Sequence, residues 1–331
     1  MDRVIVVRNL WKHYGETAAV KGISFTVHAG EIFGFLGPNG AGKTTTINLL
    51  TGLARPDPVP AERPEESTEL FVCGINLLKH PRAVQHLLGV VPDENNLYPE
   101  LSGYENLCFW ASLYGIRKKE RQERARELLN TVNLTEVARE KFANYSRGLK
   151  RRLAIAAALV HRPGLLFLDE PTTGLDVAAA RSVRRLITQL HQAGTTIFLT
   201  THYLEEAERL CQRLAFIVSG RLGRIDTVSH LLEPVQGKQF LEVLCGPLPP
   251  HFQEVFSRVY PEVSLLVAGP GRFQVEVSPR LKVPALVQFL ETEGAEVLEV
   301  KRKQASLEDV FVEITGIEAA AIKQEKAKGL P

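Results

Sequence analysis

The chain has 331 residues, 44% hydrophobic and 24% charged, with 40 basic against 38 acidic side chains and a net charge of +2. That length has room for one sizeable core and a smaller one, so two domains are expected. The charge balance argues against a bulk nucleic-acid binder, and four cysteines without a CxxC pair (Cys73, Cys108, Cys211 and Cys245) argue against a zinc site or a disulfide framework.

The N-terminus, MDRVIVVRNLWKHYG, has no charged-then-apolar leader. RVIVVRNLWKHY and GISFTV read as strands joined by a polar connection, GETAAVK. EIFGFLG is an apolar strand running into a glycine-rich turn and a helix, TTTINLLTGL. The Pro- and Glu-rich stretch from Arg55 to Thr68 reads as a surface loop, longer than usual and without an assigned role. ELFVCG and LLGVVP are strands, followed by a loop, DENNLYPELSG, and a helical stretch from Tyr104 to Glu140. LKRRLAIAAALV is a helix with an Ala-rich buried face. Its run Leu153 to Val160 is the longest apolar stretch found, less than half of what a bilayer span needs. The chain is therefore expected to be soluble, with any membrane part supplied by another subunit.

LLFLDE is a buried strand, DVAAARSVRRLITQLHQAG a helix closed by Gly194, TTIFLTTH a further buried strand and RLAFIVSGRLGRI a hairpin. Strands alternating with helices, several of them apolar throughout, imply an α/β fold: a mostly parallel sheet covered on both faces. Past residue 235 the texture becomes βαββαβα, compatible with a small ferredoxin-like α+β unit over 236–316. Residues 317–331 read as a polar tail.

GPNGAGKTT comprises Gly37, Pro38, Asn39, Gly40, Ala41, Gly42, Lys43, Thr44 and Thr45. It fits G-x-x-x-x-G-K-[ST] and sits between a strand and a helix, as a phosphate loop requires. The glycines let consecutive amides point inward as an anion cradle. Lys43 offers a cation to the β and γ phosphates, and Thr44 a hydroxyl to Mg²⁺. In LLFLDE, Asp169 emerges at a strand's carboxyl end, where α/β sheets bind ligands, and can hold the same Mg²⁺. Glu170 is one residue on, placed to polarise an attacking water. These motifs define a P-loop NTPase that binds a nucleoside triphosphate.

PTTGLD (171–176), THYLEEAERL (201–210) and YSRGLKRRL (145–153) follow in the order of ABC-type ATPases, and the chain resembles that family over roughly residues 3–225. The resemblance implies an ATP-binding domain over 1–235, with an antiparallel β subdomain and a helical subdomain about 95–160. YSRGLKRRL is similar to the family signature: Ser146 and Gly148 match, while Arg147 and Leu149 replace the usual glycine and glutamine. The resemblance further implies a head-to-tail dimer in which Ser146 and Gly148 of one copy face the γ-phosphate on the other copy's P-loop. It makes His202 the switch histidine, Asp176 part of the loop coupling the two sites, and Tyr14 the aromatic that stacks on adenine.

Asp93 stands where the family usually has Gln, and as a carboxylate it is expected to join Thr44 and Asp169 around Mg²⁺. Lys150, Arg151 and Arg152 are expected to serve the surface or a permease interface. The C-terminal unit, ending SLEDVFVEITG, resembles the tail of drug- and lipid-exporter ATPases, which pair with separate six-helix permeases. The implied protein is an ATP-hydrolysing subunit on the cytoplasmic face of the membrane. It is expected to be a homodimer on permease subunits, with no nucleic-acid partner. A soluble ABC ATPase would usually carry two nucleotide domains or a long coiled coil, and neither is read here. Intact Glu170 and His202 argue against a regulatory subunit without turnover.

Overall fold

The structure, a computed structural model, describes residues 2–60, 67–94, 96–233, 239–249, 251–261, 263, 265–269, 271–276, 282–304, 306–308 and 310–311. The chain divides into two compact units, Met1–Val228 and Ser229–Pro331.

In the first unit β1 (Arg3–Tyr14) and β2 (Thr17–His28) form an antiparallel hairpin. β3 (Ile32–Leu36) leads into α1 (Lys43–Leu50), and β4 (Glu69–Val72) and β5 (Ile75–Asn76) return to the hairpin. Then come α2 (Pro81–Gln85), β6 (Leu88–Val91), α3 (Gly103–Leu113), α4 (Lys118–Thr131) and α5 (Arg147–Ala158). β7 (Leu165–Asp169), α6 (Val177–Gln192), β8 (Thr196–Thr201), α7 (Leu204–Leu210), β9 (Arg213–Val218) and β10 (Arg221–Thr227) complete the unit.

One sheet runs β2-β1-β4-β5, antiparallel. The other runs β10-β9-β3-β8-β7-β6, parallel except for β10. Every residue of β3, β7 and β8 is buried, which fits the apolar runs IFGFL and LLFL and the IFL centre of β8. Phe25 of β2 joins the two sheets, packing on Phe33, Phe35 and Phe198 with ring centroids 5.5–6.2 Å apart. Each such ring stabilises the fold by about 1.5–3 kcal/mol through burial. The P-loop therefore starts from a fully buried strand that packs on Phe25 of the other sheet.

Three local expectations change. GETAAVK is not a loop: Gly15 turns at φ 58°, and β2 begins at Thr17, because Val20 is fully buried and holds that segment in the ladder. Tyr104–Glu140 is not helical throughout. α4 stops after Thr131, and Asn133 takes a left-handed φ of 54°, which ends a helix. α2 and α7 were not read from the sequence. α2 is a five-residue helix started by Pro81, whose missing N–H costs nothing at that position.

The helix α8 (Val228–Leu232) follows β10 in sequence. In the second unit β11 (Gln239–Cys245), α9 (Phe252–Val259), β12 (Leu265–Gly269), β13 (Arg272–Glu276), α10 (Val283–Thr292) and β14 (Val297–Gln304) form an antiparallel sheet ordered β12-β13-β11-β14. Leu241, Val243, Phe252, Phe256, Phe273 and Leu290 make its own core. Residues 61–66 of the Pro-rich loop, the end of SLEDVFVEITG and the 317–331 tail lie outside the described residues.

Candidate functional site

β3 hands over to the loop Gly37–Thr45 at the middle of the parallel sheet. A Cβ on Gly37 would lie 2.1 Å from Ile217 O, and one on Gly42 2.4 Å from Ala19 O, so neither position accepts a side chain. Gly42 also sits at φ 104° and Gly40 at φ 72°, which L-residues avoid. Lys43 is buried, and its Nζ donates to Gly37 O at 2.8 Å and Pro38 O at 3.0 Å. Ala41 is buried, Thr45 half-buried, and Asn39 and Thr44 are exposed.

The acidic pair ends β7. Thr44 Oγ1 donates to Asp169 Oδ2 at 2.8 Å, and Thr200 Oγ1 donates to Asp169 Oδ1. The next residue, Glu170, adopts a left-handed φ of 47°, which is costly for a non-glycine residue and typical of functional turns. Thr200 holds that turn, its Oγ1 and its carbonyl oxygen both accepting from Glu170 N–H at 3.1 Å. The buried Glu170 carboxylate then has Oε1 at 3.1 Å from Lys43 Nζ and Oε2 at 2.7 Å from His202 Nδ1, with Thr173 Oγ1 donating to Oε2 at 2.9 Å. Burial pushes this carboxyl up, but His202, Lys43 and Thr173 outweigh it and hold it at about 2. His202 Nε2 is buried with no partner. The structure thus brings Lys43, Thr44, Asp169, Glu170 and His202 into one connected cluster.

Ser146, Gly148 and Asp176 form a second group. Ser146 caps α5, its Oγ accepting from Leu149 N–H at 3.4 Å, and is itself exposed. Gly148 is buried, and a Cβ there would lie 2.6 Å from Ala179 Cβ, so its smallness lets α5 approach α6. Asp176 caps α6 by accepting from Ala179 N–H at 2.8 Å, and Arg147 Nη1 donates to Gly174 O at 3.3 Å. Tyr14 sits at the tip of the β1–β2 hairpin with 52% of its surface exposed.

Two residues of the basic run, Arg151 and Arg152, turn to backbone carbonyls rather than to the surface. Arg151 is buried and donates to Pro92 O at 2.6 Å, Asp93 O at 2.8 Å and Asp93 Oδ1 at 3.4 Å. Arg152 donates to Val132 O and Asn133 O, the carbonyls that end α4, and Lys150 lies 5.4 Å from the Phe142 ring centroid. Carbonyls left bare at a turn and a helix end explain the recruitment of these cations. Asp93 therefore meets Arg151. Burial raises its carboxyl, with Arg151 opposing and Glu170 and Asp169 adding to the rise.

Sequence reasoning missed Thr200, Arg151 and Glu206. Glu206 is buried on α7, its Oε1 accepting from Thr172 Oγ1 at 2.7 Å, and burial raises its pKa. The glutamate of an amphipathic EEAERL helix gives no signal of that fate.

The residues fit a triphosphate. The cradle is closed to side chains, a lysine cation lies at its mouth, and His202 Nε2 is an unsatisfied buried group beside them. The linked oxygens of Thr44 and Asp169 fit Mg²⁺ as well. Among the described residues no three His, Cys, Asp or Glu side chains cluster as a metal site. A cation here would draw its remaining ligands from phosphate and water, as Mg²⁺ does. A cleft of about 280 Å³ opens beside this pair, lined by Leu53, Pro92, Asn96, Trp110 and Tyr114. Among the described residues no helix is long and apolar enough to cross a membrane.

Residues 20–173 match the ABC transporter family. The chain is 34% identical over 316 residues to the linearmycin resistance ATP-binding protein LnrL of Bacillus subtilis (strain 168), covering 95% of this chain and 98% of that protein. It is 36% identical over 311 residues to the Nod factor export ATP-binding protein I of Burkholderia orbicola (strain AU 1054), covering 94% and 96%. Among solved structures it is similar to the dimeric structure of MJ0796, a bacterial ABC transporter cassette, with a TM-score of 0.60 and 26% identity over 68% of this chain and 98% of that one. It is similar too to the dimeric post-hydrolysis state of MJ0796 bound to ADP and Pi, with a TM-score of 0.59, 25% identity and the same coverage.

Proposed function

The chain belongs to the ATP-binding subunits of ABC transporters, and on that premise we propose that it hydrolyses ATP as a homodimer through the cluster Lys43–Glu170–His202. The permease would be a separate membrane protein, and the cargo would leave the cytoplasm, as the name of the Nod factor export relative supports. The cytoplasmic membrane face is then its place of work. The cleft at Leu53, Asn96, Trp110 and Tyr114 is where a permease segment would seat.

The observation that carries the reading is the shared bonding of Lys43 and His202 to the two oxygens of Glu170. Lys43 Nζ bonds Gly37 O and Pro38 O and pairs with Glu170 Oε1. A γ-phosphate in the cradle draws the Lys43 cation toward itself, and Glu170 Oε1 is released to orient water. Losing the cation also lifts the carboxyl from about 2 and makes it a better proton acceptor. His202 keeps Glu170 in place through Nδ1 and turns its free Nε2 to the phosphate. Ser146 of the second copy closes the site with a hydroxyl and a helix end, while Tyr14 carries the adenine. Mg²⁺, held by Thr44 and Asp169 with Asp93 nearby, would neutralise charge on the phosphates.

Glu170→Gln is the test. It should lower turnover by about 10²–10⁴-fold and leave ATP bound, so that a stable dimer accumulates on size-exclusion chromatography. Hydrolysis at the wild-type rate in that variant overturns the assignment of Glu170.

A further inference from the structure

The Pro-rich loop after α1 has no part in the chemistry above, yet one of its residues reaches the strand that ends in Tyr14. Asp57 N–H donates to Trp11 O at 2.9 Å, an isolated antiparallel bridge. Its Oδ1 accepts from Lys12 Nζ at 3.0 Å. Its Oδ2 accepts from His13 N–H at 2.5 Å and lies 3.2 Å from His13 Nδ1. One residue of the loop thus engages three consecutive positions of β1 immediately before Tyr14. Lys12 Nζ, so held, lies 5.5 Å from the Tyr14 ring centroid.

That end of β1 needs a second support. Pairing with β4 covers only Ile5–Arg8, so among the described residues the strand beyond Arg8 has β2 on one side and no strand on the other. The ladder with β2 is itself irregular here, with register shifts at Leu10/Trp11 and Lys12/His13. Asp57 occupies the vacant edge. The hairpin tip also abuts the phosphate cradle: Tyr14 pairs with Thr17, and two residues on, Ala19 O is the atom that closes Gly42 to side chains. A shift of the tip would move the Tyr14 ring relative to the P-loop.

We propose that Asp57 is a positioning residue for the nucleotide's base: it pins Trp11–His13 so that Tyr14 presents its ring at a fixed distance from the phosphate cradle. This rests on the reading of Tyr14 as the base platform. The Pro-rich loop is then a determinant of how tightly the base, rather than the phosphates, is held. Burial opposes ionisation of Asp57, but Lys12 and His13 together hold its carboxyl below the usual carboxylate range, so near neutral pH the brace is charged.

The experiment compares binding of ATP with binding of inorganic tripolyphosphate, which has no base, by calorimetry on the full chain. Tyr14→Ala should weaken ATP about tenfold and Asp57→Ala about fivefold, within the range that stacking of one base is worth. Tripolyphosphate affinity should change less than about twofold in both, because the cradle is untouched. The double variant should bind ATP no worse than Tyr14→Ala alone, which a merely structural loss at Asp57 would not produce. Asp57→Asn, which keeps an acceptor for His13 N–H, should fall between. It carries the same comparison if Asp57→Ala does not fold. An unchanged ATP-to-tripolyphosphate ratio in the Asp57 variants, with a reduced ratio in Tyr14→Ala, overturns the brace alone. An unchanged ratio in Tyr14→Ala overturns the reading of Tyr14 and the brace with it.

Discussion

The P-loop face and the first turn of α5 are built on opposite plans. At the P-loop, Lys43, Asp169, Glu170 and His202 are linked within a single chain: Glu170 Oε1 is held by the Lys43 cation without a hydrogen bond, and the buried His202 Nε2 has no partner. At α5, the exposed Ser146 merely caps its own helix with a long 3.4 Å bond, and Gly148 is packed on Ala179. The first face holds its charges in register before any substrate arrives. The second presents a helix end whose capping serine is exposed. In the dimer proposed above, a second copy would bring its α5 to the first copy's cradle, and neither half would perform the chemistry alone.

The largest effect that could break this contrast comes from mixing. Lys43→Ala disables the cradle, and Ser146→Ala disables the cap. Each alone should lower turnover by about 10²–10³-fold, the cost of removing one aimed donor from a developing charge. Mixed one to one, random pairing makes half the dimers hybrid, and each hybrid holds one intact cradle facing one intact cap. Turnover should recover to about a quarter of wild type if the sites act independently. No recovery in a phosphate-release assay would mean that cradle and cap belong to the same chain.

A smaller effect sharpens the contrast along α5. Its first turn is open, but its second is tied inward by Arg151 to Pro92 and Asp93. Arg151→Met keeps much of the apolar stem and strips the partners from two carbonyls. It should destabilise the first unit by about 3 kcal/mol in denaturant unfolding, as groups left without partners typically do. Lys150→Met, on the same helix, should change stability by no more than about 0.5 kcal/mol, as side chains outside such networks do. Equal losses at the two positions would show that the clamp contributes nothing particular.

The P-loop face was legible in the sequence because its parts are contiguous motifs whose chemistry is local. Nine residues from Gly37 to Thr45 dictate a cradle, and LLFLDE ends a strand on its own acids. The sheets followed from apolar runs of strand length. Arg151 and Asp57 were not legible, since their partners lie 58 and 44 residues away and nothing in the basic run or the Pro-rich loop marks them. A charge run looks the same whether solvated or folded inward. Only packing decides, and here bare carbonyls at Pro92 and Val132 decided it. The start of β2 was missed for a related reason: GETAAVK is locally polar, but Val20 belongs to the core.

The smallest effect lies just past the far end of α5. His161 stacks on Tyr114 with centroids 3.8 Å apart, and its Nε2 lies 2.9 Å from Leu88 O. A carbonyl only accepts, so Nε2 carries the proton, and the buried Nδ1 has no partner. Adding a second proton there would bury a charged group without an acceptor. Burial accordingly lowers the His161 pKa, with His86 and Arg124 adding to the fall and the Leu88 bond opposing it. The sign follows: the unfolded chain takes up a proton near pH 6.5, and the folded chain does so only at lower pH. The stabilising contribution is therefore whole above 6.5 and is lost as pH falls through the folded value. His161→Phe keeps a ring against Tyr114 and cannot titrate, so its melting temperature should decline less than that of wild type between pH 7 and pH 5. Parallel curves would mean that His161 takes its proton as readily in the fold as outside it, and that the far end of α5 is wetter than its packing shows.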